Sequence, residues 1–154
     1  MIRGIYLSCN DDLKDVHAIR KAVFTNELGI PAETEADDND MMAMHALLEG
    51  ETGSFVATAR MRFDGDTFIL DKVAVLPEYR RNGYADFVVR MLLDKVFTAD
   101  GKVIYAEVIS DTIPFFESIG FRDNGSEHKE GSLSYKPMIL EKGKVKTKCA
   151  EHRG

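Results

Sequence analysis

Between an apolar run that ends at Leu76-Pro77 and an apolar stretch of helical length lie Arg80, Arg81, Asn82, Gly83, Tyr84 and Ala85. A strand that enters a helix through such a turn aims several backbone N–H groups at one point. The helix N-terminus adds partial positive charge there. Gly83 lets a ligand approach the backbone closely, or lets the chain take a positive φ. Arg80 and Arg81 can add charge-assisted bonds to phosphate oxygens. The chemistry predicted is the holding of a pyrophosphate, and a connecting turn with solvated arginines is the competing reading. The spacing is neither that of a P-loop nor that of a Rossmann fingerprint.

Carboxylates supply the second chemistry. Glu107 lies inside "VIYAEVIS", and strand alternation puts it on the face of Val103 and Tyr105. Burial there would raise its pKa and suit it to take a proton from an ammonium group. Asp71, which precedes "KVAVLP", is a second candidate base. For each, a strand-end charge meeting solvent or a salt bridge is the alternative. Glu33, Glu35, Asp37, Asp38 and Asp40 form an acidic loop, read as solvated, with attraction of a cationic amine as its functional alternative. His45 reads as a satisfied edge histidine, His17 sits on a helix, and His128 and His152 are isolated. No Cys/His spacing supports a metal site.

These residues need elements to carry them. "IRGIYLSC" reads as a strand, and "NDDLKDVHAIRKAVFTNELG" as a helix capped by Asn10 or Asp11 and ended by Gly29. "MMAMHALLEG", "GSFVATARMRFDG" and "DTFILDKVAVLP" read as successive strands joined by hairpin turns at 50–53 and 64–66. "YADFVVRMLLDKVFTADG" is a largely buried helix with a polar stripe of Asp86, Arg90 and Asp94. "KVIYAEVIS" is a strand, "DTIPFFESIG" a short helix, and "FRDNGSEHKEG" and "SLSYKPMILEKG" two closing strands. The order β-α-β-β-β-α-β-α-β-β predicts an α+β domain with one mixed central sheet of about seven strands flanked by helices. The domain is expected over residues 1–141. A basic tail, 142–154, follows as a frayed end or a lysine-guarded edge strand.

The turn "RRNGYA" resembles the Q/R-x-x-G-x-G/A signature of the GNAT superfamily of N-acetyltransferases. "LDKVAVLPEYR" looks like that family's fourth strand, and "FFESIGF" at 115–121 is similar to its "FYEKLGF" signature. "VFTNELGIPAETEADDND" looks like a family branch whose first helix ends in "VFVxEQxxP". The likeness spans residues 3–141. It implies a β-bulge near the end of the fourth strand, which splays that strand from the fifth so that the pantetheine arm of acetyl-CoA lies between them. Val73, Ala74 and Val75 would then bind pantetheine through main-chain groups, with an N–H near Val75 stabilising the oxyanion. Residues 80–85 would hold the pyrophosphate. In the family a Tyr often protonates the departing thiolate, and here the matching residue is Phe116, expected beside the pantetheine. A thiol pKa of about 8.5 lets a thiolate leave without a dedicated acid.

Bulk properties limit the alternatives. The 154 residues fit one domain, and 44% hydrophobic content suffices for a core. No apolar run is long enough to span a membrane. "MIRGIYLSCNDD" has no apolar segment ahead of a cleavage site, which predicts a non-secreted chain. Only Cys9 and Cys149 occur, which predicts a reducing, cytoplasmic setting. A net charge of −6 disfavours nucleic acid as a partner. The expectation is an acetyl-CoA-dependent N-acetyltransferase without a metal, acting by direct transfer on a small-molecule or protein amine. A non-catalytic acyl-CoA-binding or regulatory domain is the alternative. A general phosphate- or nucleotide-binding module is a further rival, and a homodimer stays open.

Overall fold

The computed structural model describes residues 1–147. Strands β1 (Arg3–Leu7), β2 (Met44–Glu49), β3 (Phe55–Asp64) and β4 (Thr67–Val75) form an antiparallel meander. β5 (Val103–Ile109) joins β4 in parallel, and β8 (Leu133–Glu141) pairs antiparallel with β5. β6 (Arg122–Asp123) and β7 (His128–Glu130) both pair with β8, which completes a mixed eight-stranded sheet. The split into β6 and β7, where one strand was expected, has a cause in β8. The Pro137 carbonyl accepts from Asn124 N–H on that side, but Pro137 has no N–H to return.

The helices cover both faces. α3 (Tyr84–Thr98) buries Val88, Val89, Leu92, Leu93, Val96 and Phe97 against the sheet, while Asp86 and Arg90 pair along its outer side at 3.0 Å. α4 (Ile113–Ile119) adds Phe116 and Ile119 to the same core. On the opposite face, α1 (Lys14–Arg20) continues as a π-helix over Lys21–Glu27, and Val16, Ile19, Val23 and Phe24 meet Leu47 and Ala74. α1 starts later than expected because Asp11 does not cap it. The Asp11 carboxylate accepts instead from Ser8 N–H at 2.8 Å, which turns the chain out of β1.

The acidic segment is folded rather than a solvated loop. It forms α2 (Ala32–Glu35) and a 3-10 turn at Asp38–Met42, with Glu35 and Asp40 buried. The basic tail begins as a 3-10 turn at Lys142–Lys144 and docks through Lys146 N–H to the Ile119 carbonyl at 2.7 Å. The rest of that tail, with Cys149 and His152, lies outside the described residues.

Candidate active site

The site begins with an irregularity in β4. Thr58 faces Ala74 but Arg60 faces Asp71, so β4 carries one residue more than β3 over this stretch. The bulge centres on Lys72, at φ 52. Pairing of β4 with β5 stops with Leu70 opposite Ala106, although β4 runs to Val75 and β5 to Ile109. A notch opens between residues 71–75 and 107–109. Leu76 N–H bonds back to Val56 O of β3 at 2.9 Å. Antiparallel alternation therefore turns the main-chain groups of Val73 and Val75 away from β3, toward the notch. Ala74 faces β3, and its side chain lies in the core under α1.

At the mouth of the notch the chain turns into α3. Arg81 has φ 69 and Gly83 has φ 77 at the helix N-cap. No side chain caps α3, so its first-turn amides remain available to an anion. Asn82 stays within the turn, donating to Tyr79 O at 2.9 Å. Tyr84 and Ala85 pack on the core, and the Tyr84 hydroxyl lies against Gly50. Arg81 is exposed. Arg80 is engaged within the protein: its Nε donates to Val75 O at 3.0 Å, and its two terminal nitrogens grip Glu27 at 2.8 and 2.6 Å. That bond to Arg80 holds the Glu27 carboxyl below its ordinary pKa.

The two candidate bases differ in state. Asp71 Oδ1 and Oδ2 accept from Arg60 at 2.8 Å each, and Oδ2 also accepts from Arg62 at 2.8 Å. Asp71 is thereby a bound anion, not a free carboxylate. Glu107 is on the expected face, but the expected burial is absent. β5 buries Ile104, Ala106 and Val108, while the Glu107 side chain is 45% exposed. His128, which reads as isolated in the sequence, comes to it, with Tyr135 beside the ring. His128 Nε2 lies 4.0 Å from Glu107 and 3.2 Å from Glu130, and the His128 ring stacks on Tyr135. Partial burial, and then the charges of Glu130 and Glu107, push the Tyr135 phenol above its ordinary pKa.

Beneath the bulge lies a buried charge network that joins Arg20, Glu35, Asp37, Asp40, Arg60, Asp71 and Lys72. Arg20 and Arg60 are 0% and 2% exposed. Burial works against the ionised forms of Asp37 and Asp40, but Arg60 for the first and Arg20 and Arg60 for the second hold both below the ordinary carboxylate pKa. His45 is interior, between β1 and β3, and not an edge residue. Its Nε2 donates to Asp40 O at 3.1 Å, and Nδ1 has no partner among the described residues. Burial drives its pKa down.

Residues 13–121 match the family model described as the Acetyltransferase (GNAT) family. The chain belongs to this family. It is similar to a candidate acetyltransferase of Bacillus subtilis (strain 168), at 29% identity over 125 residues that cover 79% of this chain and 84% of that one. Escherichia coli ElaA shares the fold at a TM-score of 0.81 and 21% identity, covering 92% of this chain and 100% of the other. The PaiA N-acetyltransferase of Thermoplasma acidophilum, solved in complex with coenzyme A, superposes at a TM-score of 0.69 and 13% identity, over 92% and 99% of the two chains.

In this GNAT domain Phe116 is core. It is 5% exposed and meets Phe115 and Phe121 edge to face, at centroid distances of 4.9 and 5.6 Å. Among the described residues no group of His, Cys, Asp or Glu is arranged to hold a metal, and no helix is long and apolar enough to cross a membrane. Sequence reasoning missed His128 and Tyr135 at Glu107, and it missed the burial of Arg20 and Arg60. The second had a signal: Arg60 and Arg62 alternate within the apolar run "VATARMRF", which requires anions nearby.

Proposed function

We propose that this GNAT domain transfers an acetyl group from acetyl-CoA to a primary amine, within a ternary complex. The reading rests on one observation, the notch beyond the last β4–β5 pair, toward which the main-chain groups of Val73 and the Val75 N–H turn, and which ends at the uncapped start of α3. Those groups suit a pantetheine arm, and the turn at 80–85 suits a pyrophosphate. A structural relative was solved with coenzyme A, which fits the same use of the fold. Phe116 supplies packing rather than a proton in this reading.

Glu107, with His128 beside it, takes one proton from the acceptor ammonium. The amine lone pair attacks the acetyl carbonyl carbon, and a main-chain N–H near Val75 bonds the oxyanion that forms. When the oxyanion collapses, the C–S bond breaks and the thiolate leaves. The second amine proton ends on that sulfur. The acceptor class is an amine of a small molecule or a protein. The setting is cytoplasmic, on the scarcity of cysteine in the sequence.

The test is calorimetric CoA binding together with thiol release from acetyl-CoA over a panel of amines. Wild-type protein is expected to bind CoA and turn over with at least one amine. Gly83→Ala places a Cβ at φ 77 and is expected to weaken CoA binding about tenfold, from the roughly 1–2 kcal/mol cost of that conformation. Unchanged affinity in folded Gly83→Ala protein removes the assignment of the turn. Tight CoA binding without turnover on any amine favours a non-catalytic acyl-CoA-binding domain.

A further inference from the structure

The notch depends on Lys72, and this inference rests on the reading of the notch as the donor site. Lys72 is not glycine, yet it sits at φ 52, which L side chains disfavour. In a regular strand, consecutive side chains point to opposite faces. Asp71 and Lys72 instead both reach the face covered by α1 and α2, where each is held. Lys72 Nζ lies 2.9 Å from Glu35 Oε2 and 3.2 Å from the Glu35 carbonyl oxygen, and sits over the Phe24 ring. Asp71 is held by Arg60 and Arg62. Arg60 in turn bonds Asp37 and Asp40, and Arg20 bonds Glu35 and Asp40.

Arg20, Arg60, Arg62 and Lys72 thus balance Glu35, Asp37, Asp40 and Asp71, and the set closes on itself. Buried pairs of this kind add little net stability over apolar packing. They do fix directions, because a displaced member leaves a charge without its partner. The direction fixed here is the one a regular strand forbids. Without it, β4 could continue its ladder with β5 beyond Leu70, and the Val73 main-chain groups and the Val75 N–H would be spent on β5.

We propose that the segment 32–42 is a clamp that, through this network, forces the bulge at Asp71–Lys72 and keeps the notch open before any ligand arrives. Lys72, Asp71, Arg60 and Glu35 are positioning residues in this scheme. The clamp explains why the acidic segment is folded inward although five of its residues carry carboxylates.

Two substitutions at one position test the clamp. Lys72→Met keeps the apolar stem over Phe24 and removes the ammonium. Lys72→Gly also removes it but accepts a positive φ unaided. Amide hydrogen exchange of residues 71–75 and 107–109 is followed in ligand-free protein, and CoA affinity is measured by calorimetry. In Lys72→Met the amides of Val73 and Val75 are expected to gain protection, and CoA affinity to fall about tenfold or more, a typical cost of misplacement. Lys72→Gly is expected to keep wild-type exchange and to lose no more than about threefold in affinity. Glu35→Gln keeps the carbonyl contact and is expected to move both readouts as Lys72→Met does, by less. Wild-type exchange and affinity in folded Lys72→Met or Glu35→Gln protein overturn the proposal. So does Lys72→Gly losing as much affinity as Lys72→Met, because the ammonium would then act on the ligand directly. If wild-type protein binds no CoA, the donor-site reading fails, while the exchange pattern still decides the clamp.

Discussion

Glu107 and Asp71 show how two carboxylates on adjacent strands acquire different surroundings. Asp71 meets two guanidinium groups and is committed to them. Glu107 has an imidazole at 4.0 Å, and its side chain is nearly half exposed. Glu107→Gln is therefore expected to lower kcat by about 100-fold, the usual size of a general-base contribution. Thiol-release assays over a range of pH measure this. A wild-type rate at every pH removes Glu107 from the proton transfer. Both carboxylates were legible in the sequence as charges inside apolar strands. Their difference was not, because it depends on Arg60 in β3, which faces Asp71 through the sheet register, and on Arg62 two residues on, whose side chain reaches the same carboxylate.

Gly120 ends α4 at φ 124 and shows how elements constrain one another. A Cβ there would stand 2.2 Å from the Lys144 carbonyl oxygen, on the turn that folds the start of the tail over α4. Backbone cannot give way as a flexible side chain can. Gly120→Ala is expected to destabilise the domain by more than about 1 kcal/mol, through both the positive φ and this contact. Urea unfolding measures the loss, and a midpoint equal to wild type contradicts the packing described for the tail. Strand periodicity, hairpin turns and the α3 stripe made most elements readable. The first helix differs from its reading in two ways. Its start moved because Asp11 bonds Ser8, and its second half winds as a π-helix that no apolar spacing announces.

At the scale of the whole molecule, the buried charges tie stability to pH. Burial leaves His45 with a pKa below the ordinary 6.5, so the unfolded chain takes up its proton first as pH falls. Asp37 and Asp40 are held below the ordinary 3.8, so the unfolded chain again binds protons first. Stability rises with pH wherever the unfolded state holds more protons. It should therefore decline in two steps, one beginning as pH falls through about 6.5 and one beginning near about 4. Urea midpoints at about pH 7.5, 5.5 and 3.5 measure both steps, and His45→Gln is expected to flatten the first. An unchanged wild-type midpoint between the two higher values contradicts a buried, neutral His45. The sequence by itself determined most of the element order, the buried face of α3, and a turn at 80–85 between β4 and α3, because alternation, helical spacing and glycine placement are local properties. It also carried the family likeness. The tertiary structure decided what becomes of the charges. Whether an aspartate is a solvated loop residue, a buried counterion or an open base depends on which distant strand and helix lie beside it, and those contacts between Arg20, Asp40, Arg60 and Asp71 span 51 positions of chain.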